Sequence, residues 1–153
     1  MKPIVQRGQN EAEIIRRKLQ QHNSRFLTDF SEWCFCMEEH GQILAGIYAV
    51  RELDCVTIEY LYVEEKHRGR GYGSQLLERI EQQARAAGAK RIFLNTFSFQ
   101  APAFYEKHGY QLFAKLEPAM ANYNQYFFQK LLDLEKALSC IFWKRRLISN
   151  NRR

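Results

Sequence analysis

Apolar residues recur along this chain with two different periods, and each change of period marks a boundary between predicted elements. A spacing of three and four residues predicts one amphipathic helix over residues 11–21 and another that ends at Gly88. Short runs rich in β-branched and aromatic residues predict strands. The predicted strands are 4–5, 32–37, 43–51, 55–63, 91–96, 110–116 and 125–132. Pro102 and Gly109 bracket one further short helix.

The order of these elements predicts an α/β (α+β) fold with one domain. Three consecutive strands with short connections favour an antiparallel arrangement. The strand, helix and strand that follow favour a parallel crossover unit. The last two strands favour an antiparallel pair joined by a loop that contains Pro118. The pattern therefore predicts a mixed, twisted sheet of about six to seven strands flanked by helices.

The end of the chain differs from the rest in charge. From residue 134 onward six bases oppose one acid, so this segment carries +5 of the formal charge of +6. Its apolar positions fall on one face of a predicted helix: Leu134, Leu138, Ile141 and Phe142. The chain is thus divided into a domain, residues 1–132, and a basic amphipathic C-terminal helix, residues 133–153. Docking of this helix on the domain or on a second subunit, which would make a homodimer, is favoured over binding to a membrane surface or nucleic acid.

Composition excludes several classes of protein. A chain of 153 residues with 46% hydrophobic residues is not disordered and can build one core. No apolar run approaches the roughly 20 residues of a membrane span, and the N-terminal stretch lacks the apolar core of a signal peptide. A cytoplasmic protein with no specific nucleic-acid partner is therefore expected. The four cysteines are expected to be buried, reduced thiols rather than metal ligands: Cys34, Cys36, Cys55 and Cys140.

A basic turn rich in glycine stands between the third long strand and the second helix. From Arg68 it reads Arg-Gly-Arg-Gly-Tyr-Gly-Ser. Glycine lets a ligand approach the main chain closely. The first turn of the helix behind it carries unpaired N–H groups and the positive end of the helix dipole, so it attracts phosphate. The turn indicates a pyrophosphate site, although on the turn alone a solvated surface loop is an equal alternative.

Two blocks of this sequence together resemble a known family. Arg68, Gly71 and Gly73 meet the pattern Gln/Arg-x-x-Gly-x-Gly/Ala, which is the signature of the GNAT superfamily of N-acetyltransferases. The block from Phe104 to Tyr110 is similar to the second characteristic segment of that family. The resemblance covers residues 32–132. It implies a single-domain GNAT-like fold whose sheet splays open between its two parallel strands.

The resemblance also implies a cosubstrate and a set of binding residues. Acetyl-CoA would be the cosubstrate, a primary amine would be the acceptor, and no metal would be needed. The pantetheine arm would lie in the opening of the sheet, along the main chain of Leu61, Tyr62 and Val63. The pyrophosphate would be held by Arg68, Gly69, Arg70, Gly71, Tyr72, Gly73 and Ser74. Asn95 would meet the pantetheine or the acceptor; the alternative is an exposed polar residue at the end of its strand.

The chemistry of amine acetylation asks for few further groups. Tyr105 would donate a proton to the departing sulfur, since a phenol with a pKa near roughly 10 is protonated at neutral pH. The alternative for Tyr105 is a core tyrosine beside Phe104. A backbone N–H near Val63 would stabilise the oxyanion of the tetrahedral intermediate.

Glu59 is the candidate general base. Two-residue alternation would place it on one face of its strand with Thr57, Leu61 and Val63. If that face is covered by a helix, Glu59 is badly placed; if its end opens to the cleft, Glu59 can serve as a base. The two histidines closest to these blocks are expected at the surface: His67 and His108.

The acceptor is not specified by any motif. In the resembling family, the N-terminal helices and the loop between the last two strands shape the acceptor pocket, here residues 10–31 and 117–124. A small amine, an amino acid or antibiotic, and a protein N-terminus or lysine all stay open. Two non-enzymatic alternatives are a catalytically silent acyl-CoA-binding module and an interaction protein that uses its basic tail.

Overall fold

The structure, a computed structural model, describes residues 2–132. Six strands form one sheet: β1 Phe30–Glu39, β2 Gln42–Glu52, β3 Cys55–Val63, β4 Arg91–Phe97, β5 Gln111–Met120 and β6 Tyr123–Leu131. The helices of this part of the chain are α1 Gln9–Asn23, α2 Tyr72–Ala86 and α3 Pro102–Lys107, with a 3-10 turn at Glu65–His67.

The sheet is mixed, with the order β1-β2-β3-β4-β6-β5. Strands β3 and β4 run parallel, and every other neighbouring pair is antiparallel. Helix α2 is the crossover between the two parallel strands. The predicted antiparallel trio, the crossover unit and the closing antiparallel pair are therefore all confirmed.

The core lies between one face of the sheet and helix α2; we call this face the helix face. The apolar stripe of α2 is buried on it: Leu76, Leu77, Ile80 and Ala84. The sheet contributes alternate residues from its central strands: Ala45, Ile47, Ala49, Val56, Ile58, Ile92, Leu94 and Phe128. Burial of one such large side chain contributes about 2 kcal/mol, so α2 is fixed firmly across β2 and β3.

The opposite face of the sheet, which we call the open face, carries aromatic side chains that are exposed to solvent. Tyr60 is 69% exposed, and the rings of Phe93 and Phe113 contact each other there at 5.9 Å between centroids. Helix α1 forms where it was predicted, but none of its residues is buried. Its apolar positions Ile14 and Ile15 are at least half exposed.

Three expectations about local structure are wrong. Ile4 and Val5 lie outside the sheet. Pro118 lies within β5 instead of in a loop, so the predicted loop 117–124 shrinks to a tight turn after Met120. A proline is tolerated there because β5 is an edge strand and one side of it needs no ladder hydrogen bond.

The cysteines were also placed wrongly. Cys34 and Cys36 share a strand face as expected, but it is the open face, and both thiols are exposed. Their sulfur atoms lie 4.0 Å apart. Cys55 is half-buried, and burial raises the pKa of its thiol.

The predicted C-terminal helix, residues 133–153, and Cys140 lie outside the described residues. Among residues 2–132, none of the helices combines the length and the apolar character that crossing a bilayer requires.

Candidate active site

A β-bulge interrupts β3 in its middle. Tyr48 of β2 pairs with Tyr60, but the next residue, Ala49, pairs with Ile58, so Glu59 is the extra residue. A bulge of this kind reverses the alternation of side chains beyond it. Leu61 therefore returns to the helix face together with Ile58, while Glu59 is exposed. The predicted common face for Glu59 and Leu61 is wrong for this reason.

The two parallel strands separate just beyond the bulge. Their pairing runs from Cys55 with Arg91 to Ile58 with Leu94 and ends there. The remainder of β3, residues 59–63, has no partner on that side, whereas β4 continues to Phe97 on β6. The sheet thus has a slot between β3 and β4, as the resemblance implied.

Backbone groups of β3 point into this slot. The N–H of Glu64 donates to the carbonyl of Leu44 on β2 at 2.9 Å. Successive strand residues direct their backbone groups to opposite sides, so Val63 and Leu61 direct theirs away from β2. By the same alternation, the backbone groups of Tyr62, which lies opposite Gly46, face β2. The slot is consequently lined by an unpaired strand edge, which an extended ligand can complete.

The glycine turn closes one end of the slot and leaves its amides free. The 3-10 turn ends when Arg68 donates its N–H to Glu65, and the next backbone bond is from Gln75 to Gly71. Within residues 2–132, the amides of Gly69 to Ser74 have no backbone partner. Gly71 precedes α2 in the left-handed region, at φ +82°, and no side chain caps the helix. Six N–H groups without a backbone partner therefore lie in the turn that leads into the positive end of a helix dipole.

Two arginines belong to the same turn as these amides. Arg68 donates from Nε to the carbonyl of Val63 at 3.1 Å, which ties the turn to the end of β3. Arg70 is exposed at the tip of the turn. The site is thus a concentration of positive partial and full charges, which suits an anion with several oxygen atoms.

Helix α3 carries a tyrosine into the core, beside Phe104. Tyr105 is buried among Phe104, Tyr110 and Phe128, with ring centroids 5.2 to 6.0 Å away. Burial raises the pKa of Tyr105 to about 12. Its hydroxyl group is therefore a proton donor over the whole physiological range of pH.

Two contacts fix α3 against the first turn of α2. The ring of Phe104 lies against Gly73, with Val63 close by, and leaves room for no side chain larger than a methyl group. His108 makes two hydrogen bonds, from Nδ1 to the carbonyl of Phe104 at 2.7 Å and between Nε2 and Oγ of Ser74 at 3.0 Å. The glycine turn and the helix that carries Tyr105 thus form one packed unit.

A buried ion pair supports that unit from behind. Nζ of Lys130, on β6, lies 2.7 Å from the carboxylate of Glu81 and donates to the carbonyl of His108 at 2.9 Å. Glu81 lies on α2 and is 7% exposed. One ammonium group therefore joins α2, β6 and the end of α3.

Acidic and phenolic groups line the open face beside the slot. Tyr48 donates its hydroxyl hydrogen to Glu32 at 2.8 Å, and its ring stacks on Tyr60 at 5.9 Å. The hydrogen bond to Glu32 raises the pKa of Tyr48, and the charge of Glu59 contributes to the same shift. Two carboxylates and two phenol rings therefore lie together on β1, β2 and β3.

Asn95 lies across the slot from this group, on the part of β4 that pairs with β6 and no longer with β3. Its Oδ1 accepts a hydrogen bond from Nε2 of Gln125 at 2.9 Å. That bond orients the amide so that its NH₂ group is directed away from Gln125.

Two histidines were wrongly expected at the surface. His108 is half-buried, with both ring nitrogens engaged. The side chain of His67 is 12% exposed and stacks on Tyr72 at 6.1 Å between ring centroids. Nothing in the sequence marks the contact between His108 and Ser74, because the two residues are 34 positions apart. Within residues 2–132, no group of three or more His, Cys, Asp or Glu side chains is placed to hold a metal ion.

The chain matches the model of the acetyltransferase (GNAT) family over residues 6–110. It is similar to blasticidin-S acetyltransferase of Streptomyces morookaense, with 34% identity over 79 residues, which are 51% of this chain. The chain spans 58% of the length of that relative.

Solved structures show the same architecture. An acetyltransferase of Bacillus cereus ATCC 14579 superimposes with a TM-score of 0.75 and 37% identity, covering 86% of this chain and 98% of the other. An acetyltransferase of Bacillus anthracis str. Ames, solved with acetyl coenzyme A, superimposes with a TM-score of 0.60. The match covers 71% of this chain and 66% of the other. At 20% identity, this second likeness shows the fold alone.

Proposed function

Because this chain belongs to the acetyltransferase (GNAT) family, we propose that it transfers the acetyl group of acetyl-CoA to a primary amine by direct attack through a tetrahedral intermediate. One observation carries the proposal. The pairing of β3 with β4 stops at Ile58 and Leu94, and the slot that opens there ends at the free amides of Gly69 to Ser74.

The slot and the turn fit the two halves of the cosubstrate that this family uses, acetyl-CoA. The diphosphate would take the N–H groups of the glycine turn, with Arg68 and Arg70 neutralising its charge. The pantetheine arm would complete the edge of β3, bonded to the backbone of Leu61 with Tyr62 beside it, and its thioester end would lie at the N–H of Val63. The two binding modes together aim the thioester along β3 toward the bulge.

Two groups would assist the breakdown of the thioester. A backbone N–H at Val63 points into the slot and would stabilise the oxyanion of the intermediate. Tyr105 would donate its proton to the departing sulfur. Its raised pKa, about 12, supports this role, because the phenol stays protonated until it is needed.

The amine would approach from the open face. Glu59, exposed on the bulge, is the proposed base for its proton, directly or through a water molecule. Glu32, hydrogen-bonded by Tyr48, and the stacked ring of Tyr60 offer a negative charge and a π face to a cationic amine before it loses its proton. Asn95 would bound the acceptor on the β4 side of the slot.

The acceptor belongs to a class of primary amines that ranges from small molecules to protein amines. The relative from Streptomyces is a blasticidin-S acetyltransferase, which supports a small-molecule amine as the first class to test. No metal takes part in the proposed reaction.

The test is a screen of acetyl-CoA consumption across amines and peptides, with free thiol as the readout. Each amine is run beside its N-acetyl derivative, which lacks the attacking group. The proposal predicts thiol release that depends on a primary amine and yields the acetylated amine. Tight binding of acetyl-CoA without release by any acceptor would instead identify a silent acyl-CoA-binding module.

A further inference from the structure

His108 joins the two elements on which the proposed reaction depends. It follows directly on α3, the helix of Tyr105, and its ring packs on Phe104 with 4.4 Å between centroids. Its Nε2 reaches Oγ of Ser74, in the first turn of α2, at 3.0 Å. This is a direct side-chain bond between the proposed diphosphate site and the helix of the proposed acid.

The carbonyl of Phe104 fixes which nitrogen of His108 faces Ser74. A carbonyl can only accept, so Nδ1 of His108 donates to it. Nε2 is left to bond the hydroxyl of Ser74, which can donate or accept. The serine hydroxyl is therefore held toward α3 in one rotamer.

This orientation matters because of where Ser74 lies. Its main-chain amide is one of the six amides of the glycine turn that have no backbone partner. The bond from its hydroxyl to His108 therefore ties this amide to the end of α3. No side chain caps α2 at this end.

His108 is itself held on two sides. Its N–H is bonded to the carbonyl of Tyr105 at 3.0 Å, and its carbonyl accepts from Lys130 at 2.9 Å. The backbone of His108 is therefore fixed. The bond from its imidazole to Ser74 then fixes the start of α2 relative to α3.

We propose that His108 is a positioning residue: through Ser74 it holds the diphosphate-binding turn in register with Tyr105. The inference rests on the proposed function, since it assigns His108 a part in the use of acetyl-CoA. His108 touches neither the thioester nor the amine. Its loss should therefore act on the cosubstrate and leave the acceptor alone.

The experiment compares four variants of the full chain: His108→Leu, His108→Gln, Ser74→Ala, and the double variant His108→Leu with Ser74→Ala. Calorimetry gives the Kd of acetyl-CoA, and thiol release gives KM for acetyl-CoA and for the best amine of the screen. His40→Asn, which replaces an exposed histidine in the turn between β1 and β2, is the control. Thermal melts establish that each variant is folded.

We expect His108→Leu and Ser74→Ala each to weaken acetyl-CoA binding by about tenfold, the effect of one buried hydrogen bond. KM for the amine should stay within twofold, and the double variant should be no worse than either single one. A glutamine side chain keeps an oxygen that accepts from Ser74, so His108→Gln should recover most of the affinity.

Several results would overturn the inference. One is a wild-type Kd in Ser74→Ala, which removes a single oxygen and is expected to fold even if His108→Leu does not. Another is full additivity in the double variant, and a third is an equal rise in KM for amine and cosubstrate. If the wild-type chain neither binds nor consumes acetyl-CoA, the proposed function fails first and the inference falls with it.

Discussion

The ring of Phe104 lies so close to Gly73 that a β-carbon built on the glycine would be 3.4 Å from Cζ of the phenylalanine. This distance is an ordinary van der Waals contact, and it leaves no room for a larger side chain. Phe104 precedes Tyr105 on α3, so the size of residue 73 sets how closely the helix of the proposed acid approaches the glycine turn.

A pair of substitutions at Gly73 tests this packing. Gly73→Ala should bind and turn over acetyl-CoA as the wild type does, because its methyl group fits the available space. Gly73→Val should displace Phe104 and lower kcat about tenfold or more, since a small misplacement of a catalytic group is costly. Thiol-release kinetics on both proteins decide the matter, and equal rates for the two variants would contradict the packing argument.

Arg70 tests the electrostatics of the turn. Arg70→Glu places an anion beside the proposed diphosphate, so we expect the Kd of acetyl-CoA to rise about tenfold or more at low salt, and less at high salt. The control is Arg91→Glu. It makes the same change of charge at the first residue of β4, at the end of that strand away from the slot. Calorimetric titrations at two ionic strengths compare them, and equal losses in both variants would point to net charge instead of a local site.

Tyr105 gives a prediction about pH. The donor form is the neutral phenol, and burial raises its pKa to about 12, so Tyr105 retains its proton as pH rises toward about 11. The attacking amine must be neutral and becomes so as pH rises. The kcat/KM should therefore climb with pH to a plateau, with no descending limb from Tyr105 below about pH 11.

The matched variant for this profile is Tyr105→Phe. It should bind acetyl-CoA normally and lose about 100-fold or more in kcat, the usual worth of a positioned acid. A descending limb near about pH 10 that disappears in this variant would contradict the prediction. It would mean that the phenol of Tyr105 has its ordinary pKa and is not buried.

The ion pair between Lys130 and Glu81 gives a prediction about stability. Lys130→Met leaves the buried carboxylate of Glu81 short of its closest partner, and we expect the free energy of unfolding to fall by about 3 kcal/mol. The control is Lys90→Met, which breaks an exposed pair with Asp54 and should change the free energy of unfolding much less, because water and salt screen that pair. Urea unfolding measures both, and similar losses would show that the pair behind α3 is not effectively buried.

The fold could be predicted from the sequence because apolar residues recur with a clear helical period in the helices and a clear strand period in the strands. The stripe of Leu76, Leu77 and Ile80 fixes α2, and the predicted bounds of β3 agree with those observed. Two features could not be predicted from the sequence. A bulge at Glu59 leaves no mark in a pattern of alternating residues, yet it reverses every side chain beyond it. The bond from His108 to Ser74 is tertiary, so only the packing of α3 on α2 creates it.

The central claim is that the main-chain amides of the glycine turn hold the diphosphate of acetyl-CoA. The direct measurement is a titration of the ¹⁵N-labelled protein with acetyl-CoA, observed through its eight glycine amides. The account predicts that the amide signals of Gly69, Gly71 and Gly73 show the largest chemical-shift changes. Glycines elsewhere, such as Gly8 and Gly41, should keep their chemical shifts and serve as references. Saturable binding that leaves the three turn amides unmoved would contradict it.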